Sequence, residues 1–121
     1  ERQLWASAGL EPWTGSDWYI EAGTGMGETL QMASQLRAYV LADNASFRFL
    51  RDRLALTSLF TEDANLDNHY SYILPARSLN PEGARSFVEW LAGPGQAVIG
   101  DYGRDRFGTP LFRPTGSVTD G

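Results

Sequence analysis

Three glycines at alternate positions, Gly23, Gly25 and Gly27, form the part of this chain best suited to chemistry. They follow a short apolar stretch at 18–22 and lead into apolar residues with helical spacing over 26–37. A helix start leaves about four backbone N–H groups unpaired and carries roughly half a positive charge. Glycine lets an oxyanion approach such groups closely. The segment predicts an anion-binding turn, although a turn that needs glycine only for its dihedral angles has the same spacing.

The composition excludes several classes of protein. The glycine spacing matches neither the phosphate loop that ends in Gly-Lys nor a complete dinucleotide fingerprint, which argues against a nucleotide enzyme. The 121 residues are 42% hydrophobic, which predicts one folded domain, and a net charge of -5 makes nucleic acid a poor partner. The absence of cysteine excludes disulfides and zinc ribbons. No apolar run is long enough to span a bilayer, and the sequence starts at Glu1 without a charged and apolar export signal, so a processed or truncated chain is expected.

Helical and strand-like patterns alternate along the chain, which predicts an α/β fold with a mostly parallel sheet flanked by helices. Strands are expected at 18–22, 38–42, 56–60 and 69–74, helices at 2–8, 26–37, 46–53, 81–91 and 96–99, and a loop at 9–15. The clearest helix start is Asn80-Pro81-Glu82, because asparagine caps a helix, proline suits its first position and glutamate faces its positive end. Beyond Phe112 the tail is expected to be loosely ordered.

Other residue combinations offer weaker chemistry. His69, the single histidine, has Asp63 and Asp67 nearby, but a lone histidine beside a loop is usually a surface residue rather than a metal ligand. Two acid pairs could serve acid–base catalysis but lack a nucleophile or base, namely Glu21 with Glu28 and Glu62 with Asp63. Four aromatic residues could form a sugar platform but are more often core, namely Trp18, Tyr39, Tyr70 and Tyr72. These combinations therefore argue against a metal site and against an enzyme, and no cofactor is expected.

Three stretches of the sequence resemble the substrate-binding proteins of tungstate ABC transporters. The first, 18–33, contains the turn Gly-Thr-Gly-Met-Gly and the start of a helix. The second is 38–43, where the family usually reads Ala-Tyr-Thr-Leu-Thr-Asp, and the third comprises 87–91 and 95–103. These proteins are periplasmic binding proteins of type II, whose two α/β lobes close on an oxyanion. The match covers nearly the whole chain but only about the C-terminal half of a family member, so one wall of the ligand cleft is implied.

The turn and the resemblance together imply a set of ligand-binding residues. The expected site residues are Thr24, Gly25, Met26, Gly27, Asp43, Asn44 and Ser46. The alternative for Thr24 is a cap on its own helix, and the alternative for the second turn is a plain strand-to-helix turn with a serine cap. Asp43 is expected to anchor its turn rather than touch the anion. Asn44 stands where the family usually has arginine, but its amide still donates two hydrogen bonds. Neutral donors can hold a tetrahedral dianion in a dry cleft.

The resemblance implies the substrate-binding component of an ABC transporter for tungstate or a related oxyanion such as molybdate or sulfate. It would act with a membrane permease, in the periplasm or outside the cell. The alternative is the oxyanion-sensing domain of a cytoplasmic transcriptional regulator. The domain plan is a ligand-binding lobe at 1–68, a strand and helices returning toward the other lobe at 69–103, and a tail at 104–121. Since residues 69–91 would lack their usual cover, we expect either a homodimer through this face or a helix at 81–91 folded back on the chain's own sheet.

Overall fold

The computed structural model describes residues 1–10 and 16–115, and every regular element in these ranges is helical. The α-helices are α1 (Arg2–Ser7), α2 (Met26–Leu36), α3 (Asn44–Leu50), α4 (Pro81–Ala92), α5 (Gly95–Asp101) and α6 (Arg104–Phe107). Short 3-10 helices cover Arg51–Arg53 and Ala64–Leu66. The chain divides into two compact units, the first unit over Glu1–Asn68 and the second unit over His69–Gly121.

The first unit is organised around α2. Leu30 is completely buried and Ala33 is 6% exposed, and no other hydrophobic residue in the described ranges is buried. These two residues lie three positions apart, on the face that α2 turns inward. The helix α3 packs against α2, and a Cβ atom added to Gly27 would lie 3.5 Å from Leu50 Cδ1. This is an ordinary van der Waals distance, so the start of α2 lies beside the end of α3.

An aromatic cluster joins α1 to the segment that leads into the glycine turn. Trp5 lies edge to face against Trp18, with ring centroids 5.3 Å apart, and against Tyr19 at 6.2 Å. The carboxylate of Glu1 accepts hydrogen bonds from Trp5 Nε1 at 3.2 Å and from the Tyr19 hydroxyl at 3.4 Å. Edge-to-face pairs of this kind add about 0.5 to 1.5 kcal/mol beyond the area that they bury. The cluster holds α1 and residues 18–19 together.

The second unit begins its helical part with a capped helix. The Asn80 side chain accepts a hydrogen bond from Gly83 N at 2.9 Å, and Pro81 occupies the first position of α4. This start confirms the sequence prediction. The helix α4 ends at Ala92 with Gly93 as its C-cap, and α5 begins at Gly95. A Cβ added to Gly95 would lie 2.9 Å from the Trp90 carbonyl oxygen. Glycine is required at that corner by the close approach of α4.

The predicted helices are confirmed with small shifts of their ends. The helix expected over 26–37 ends at Leu36, because Arg37 adopts a left-handed conformation with φ of 56°. The helix expected over 46–53 begins two residues earlier and changes to 3-10 geometry after Leu50. The sequence analysis missed α6, which falls in the glycine-rich and proline-rich tail. The expected loop at 11–15 and the loose tail at 116–121 lie outside the described residues.

The predicted α/β fold with a mostly parallel sheet is wrong for the described residues, which contain no β-strand. A strand exists only when its N–H and C=O groups pair with a neighbouring strand. Two of the segments expected as strands make local bonds instead, from Tyr19 N to Ser16 O at 3.3 Å and from Ala38 N to Ala33 O at 2.9 Å. Their alternating residues are strongly exposed, with Tyr39 at 92% and Ile73 at 86%. The pattern reflected residue types that favour strands, not a pairing partner.

Candidate functional site

The glycine turn leads into the N-terminus of α2, as its spacing predicted. Gly25 is the N-cap residue, with an extended backbone of φ -71° and ψ 165°, and no side chain caps the helix. The first N–H groups of α2 therefore receive no side-chain acceptor from the described residues. The turn is open, since Thr24 and Gly25 are exposed and Met26 is 36% exposed. A helix N-terminus with these properties offers donors and a positive dipole end to an anion.

The three glycines of the turn differ in their backbone conformation and in the space around them. Gly23 has φ of +64°, a left-handed conformation that other residues adopt only with strain. Gly25 has an ordinary extended backbone, and a Cβ added there would meet no atom within 4 Å. A Cβ added to Gly27 would lie in ordinary van der Waals contact with Leu50, so the fold does not exclude a side chain there. Of these two glycines, Gly25 has the more open surroundings, and its missing side chain keeps the surface before the helix open to a ligand.

The hydroxyl groups beside the turn bind the Gly25 carbonyl oxygen. Thr24 Oγ1 donates to this oxygen at 3.2 Å, so Thr24 is not the N-cap of α2. Thr29 donates to the same oxygen twice, from its hydroxyl and from its backbone N–H, both at 3.0 Å. The sequence analysis missed Thr29, whose signal is a threonine four residues after the cap position. These bonds fix the orientation of the Gly25 peptide and with it the first turn of α2.

The second predicted turn is the start of α3. Asp43 is its N-cap, and Asp43 Oδ1 accepts a hydrogen bond from Ser46 N at 2.7 Å. The cap is therefore an aspartate rather than a serine. Asn44 is exposed, and its Oδ1 accepts from Arg48 Nε at 3.1 Å, a contact that the sequence analysis did not foresee. With the amide oxygen occupied, the remaining polar group of Asn44 is its NH₂ donor.

The two turns are not hydrogen-bonded to each other in the described part of the chain. A Cβ added to Gly27 would meet Leu50, the last residue of α3, and no atom of the turn at 43–46 within 4 Å. No hydrogen bond within the described residues connects residues 23–27 with residues 43–46. The two turns belong to one compact unit and to two helices in contact. Each turn presents its own donors.

The charges around these turns are mostly acidic. Residues 1–68 contain ten acidic residues and five arginines. One carboxylate, Glu28, lies in the first turn of α2, where it favours the helix dipole but repels an anion. Screening limits exposed charges to about 8 Å at physiological salt, so distant acids matter little to an anion that touches the N–H groups. Glu28 is therefore the acidic residue most able to weaken anion binding at this turn.

One ionisable group near the turn is perturbed. The pKa of the Tyr19 phenol is raised, first by loss of solvent around the ring and then by the negative charge of Glu1 and its hydrogen bond to the phenol. A raised pKa keeps this hydroxyl protonated, and therefore a donor, to higher pH than an exposed tyrosine. The group supports the aromatic cluster and is not one of the predicted ligand donors.

The other candidates from the sequence show no assembled site. In the ranges that the structure describes, no three metal-binding side chains come together. His69 is exposed, and Asp63 Oδ1 accepts two bonds from Asn65, at 2.8 Å from its backbone N and 2.8 Å from its side chain. Among those same residues, no helix is both long and apolar enough to cross a bilayer.

Two curated proteins are similar to almost the whole chain. The tungstate-binding protein TupA of Peptoclostridium acidaminophilum is 38% identical over 120 residues, which cover 94% of this chain and 41% of that protein. A protein of Haloferax volcanii, provisionally named an ABC transporter anion-binding protein, is 35% identical over 124 residues, which cover 94% of this chain and 35% of that protein. The chain thus spans about two fifths or less of these relatives. No protein-family model and no solved structure matches it. The similarity confirms the resemblance found in the sequence: the chain is a relative of the tungstate-type substrate-binding proteins of ABC transporters.

Proposed function

We propose that this chain is part of the substrate-binding component of an ABC transporter and that its ligand is tungstate or a similar tetrahedral oxyanion. The observation that carries the proposal is the 38% identity, over 94% of the chain, to a protein named for tungstate binding. The second relative is named for anion binding and ABC transport. The second name favours a transport role over the sensing domain of a transcriptional regulator. Both names favour a binding protein over an enzyme.

The ligand contacts that we propose begin at the N-terminus of α2. The amides of Gly25, Met26 and Gly27 are the donors, because they belong to the uncapped start of this helix and Gly25 leaves it open. The Thr24 hydroxyl is a further donor, which would exchange its bond to the Gly25 carbonyl for one to the anion. A hydrogen bond from a neutral donor to an anion contributes about 1.5 to 3 kcal/mol, and several such bonds can replace a counter-ion.

The start of α3 supplies the second group of donors. Asp43 holds this turn through its bond to Ser46 N and does not itself contact the anion. The NH₂ group of Asn44 and the hydroxyl of Ser46 are the proposed donors. The bond from Arg48 occupies one acceptor position of the Asn44 amide oxygen and leaves the NH₂ group of Asn44 able to donate to an oxyanion.

The location and the partner follow from the same role. A protein that delivers an oxyanion to an ABC permease works outside the cytoplasmic membrane, in the periplasm or at the cell surface, and associates with the membrane through the transporter. The chain carries a net charge of -5 and offers no basic surface for nucleic acid. We therefore propose a permease and an oxyanion as partners, and no cofactor.

The proposal is tested by measuring the thermal unfolding of the chain with added anions. Tungstate, molybdate and sulfate should stabilise it, and perchlorate, which is also tetrahedral but carries one charge, should do so much less. Because a chain with one wall of a cleft binds weakly, we expect the effect only at millimolar concentration. A ligand at tenfold its dissociation constant adds about 1.4 kcal/mol to the free energy of unfolding.

Two results would contradict this proposal. Equal stabilisation by perchlorate and by the dianions would indicate a general salt effect rather than a dianion site. No stabilisation by any dianion at tens of millimolar would mean that this chain does not hold the ligand contacts. A nanomolar dissociation constant for the chain would instead show that the ligand is enclosed by residues other than the two turns.

A further inference from the structure

Three hydrogen bonds converge on one carbonyl oxygen at the start of α2, that of Gly25. Thr29 donates twice at 3.0 Å, from its backbone N–H and from its hydroxyl, and the Thr24 hydroxyl donates at 3.2 Å. A backbone carbonyl oxygen has two lone pairs. The two bonds from Thr29 therefore match the capacity of this oxygen, and the bond from Thr24, the longest of the three, is in excess of it.

The two threonines differ in their freedom to leave this oxygen. Thr29 lies within α2, where its N–H makes the first intrahelical bond and its hydroxyl binds the same carbonyl four residues earlier. It is half-buried and directly precedes Leu30, which is completely buried. Thr24 lies outside the helix and is exposed. A rotation about its χ1 angle therefore moves the Thr24 hydroxyl to another acceptor without moving the backbone.

This difference affects the energy with which Thr24 can bind the proposed anion. A hydroxyl has a single O–H donor, so Thr24 can donate to an oxyanion only by giving up the Gly25 carbonyl. With the Thr29 hydroxyl in place, that carbonyl keeps two donors after Thr24 has turned away. Without the Thr29 hydroxyl, the same rotation would leave the carbonyl with its backbone bond alone. The lost hydrogen bond would then weaken the binding of the anion.

We propose that Thr29 is a positioning residue of the oxyanion site: its hydroxyl satisfies the Gly25 carbonyl, so that the Thr24 hydroxyl is free to bind the anion. Thr29 itself does not contact the ligand, because both of its donors are directed at the Gly25 carbonyl. The inference rests on the proposed function, since it requires an oxyanion at the start of α2. It adds to that site a residue that lies beyond the glycine turn.

The test is an NMR titration of the full chain with tungstate, which gives a dissociation constant for the wild type and for each variant. Thr29→Val removes the hydroxyl but keeps the branched shape and the backbone N–H bond. It should raise the dissociation constant about two-fold to ten-fold, the range for one neutral hydrogen bond. Thr29→Ser keeps the hydroxyl and should bind tungstate nearly as tightly as the wild type. Thr57→Val is the matched control, since Thr57 is exposed in the same unit, and it should leave the dissociation constant unchanged.

The rotamer of Thr24 separates positioning from a purely structural role of Thr29. Three-bond couplings to the Thr24 methyl carbon report its χ1 angle in the same titration. In the wild type, tungstate should shift Thr24 away from the rotamer that binds the Gly25 carbonyl. In Thr29→Val, Thr24 is the side-chain donor that this carbonyl keeps, so the shift at equal fractional saturation should be smaller. A residue that only stabilised α2 would not change how Thr24 responds to the anion.

The outcomes distinguish this role from the site itself. Circular dichroism of each variant verifies that the helices are kept, which we expect because valine and threonine have similar helix propensities. No saturable binding of tungstate by the wild-type chain would overturn both the site and the role of Thr29. Saturable binding by the wild type with an unchanged dissociation constant in Thr29→Val would overturn the role of Thr29 alone. So would a loss in Thr29→Val that Thr29→Ser shares, or one that leaves the Thr24 rotamer shift as large as in the wild type.

Discussion

Replacing Gly25 with valine separates the function of the glycine turn from its folding. A Cβ at this position meets no atom within 4 Å, and the backbone already has extended angles that valine adopts without strain. The expected cost is the loss of a favourable N-cap residue, about 1 kcal/mol or less in the free energy of unfolding. The new side chain covers the surface in front of the α2 amides. Gly25→Val should therefore leave the fold largely intact and remove anion binding.

The magnitude of the binding loss follows from the contacts at stake. Displacing the anion from one charge-assisted hydrogen bond costs about 1.5 to 3 kcal/mol, which raises the dissociation constant about ten-fold to a hundred-fold. For a chain that binds at millimolar concentration, such a loss takes the interaction beyond detection. The assay is a calorimetric or NMR titration with tungstate, accompanied by urea unfolding of the same variant.

Gly23→Val is the matched control for this experiment. Gly23 has φ of +64°, and a left-handed backbone costs an ordinary residue about 1 to 2 kcal/mol, more for a β-branched one. The same chemical change two residues earlier should therefore lower stability clearly, whereas Gly25→Val should not. Unchanged tungstate affinity in Gly25→Val would refute the assignment of the turn. A loss of stability in Gly25→Val as large as that in Gly23→Val would refute the structural reasoning.

Three further predictions concern the fold. Leu30→Ala should lower the free energy of unfolding in urea by about 2 to 5 kcal/mol, because Leu30 is completely buried, whereas Leu59→Ala, 75% exposed, should change it by less than about 0.5 kcal/mol. Asn80→Ala removes the cap of α4 and should cost about 1 kcal/mol by the same measurement; no change would mean that the cap contributes nothing. In a spectrophotometric titration, Tyr19→Phe should remove a phenol that ionises above the ordinary tyrosine range. The folded chain holds the Tyr19 proton more tightly than the unfolded chain. The contribution of Tyr19 to the free energy of unfolding is therefore complete below the ordinary tyrosine pKa and is lost as the pH rises through the raised pKa of the folded chain.

The helices could be predicted from the sequence because their signals are local. Asn80 followed by proline fixed the start of α4, and apolar spacing found the buried pair of α2. The ends were less certain, since Arg37 stops α2 by a left-handed conformation that its residue type does not announce. The strand predictions failed because strand pairing depends on residues distant in the sequence, and alternation alone does not supply a partner.

Only part of the candidate site could be predicted from the sequence. The glycine spacing located an open helix start, and the structure adds that Gly23 is needed for its left-handed backbone whereas the fold does not require glycine at Gly25. The direction of side chains could not be read from spacing. The Thr24 hydroxyl binds the Gly25 carbonyl rather than capping the helix, and Arg48 holds the Asn44 amide. Such bonds depend on rotamers that only the folded backbone selects.

The most direct test of the proposed anion site is an NMR titration of the ¹⁵N-labelled chain with tungstate, followed through the backbone amides. The account predicts that the largest saturable shifts occur at Gly25, Met26 and Gly27, and that they vanish in Gly25→Val. Smaller shifts are expected at Asn44 and Ser46. Saturable shifts confined to the second unit, or shifts that persist unchanged in Gly25→Val, would contradict the claim that the start of α2 holds the oxyanion.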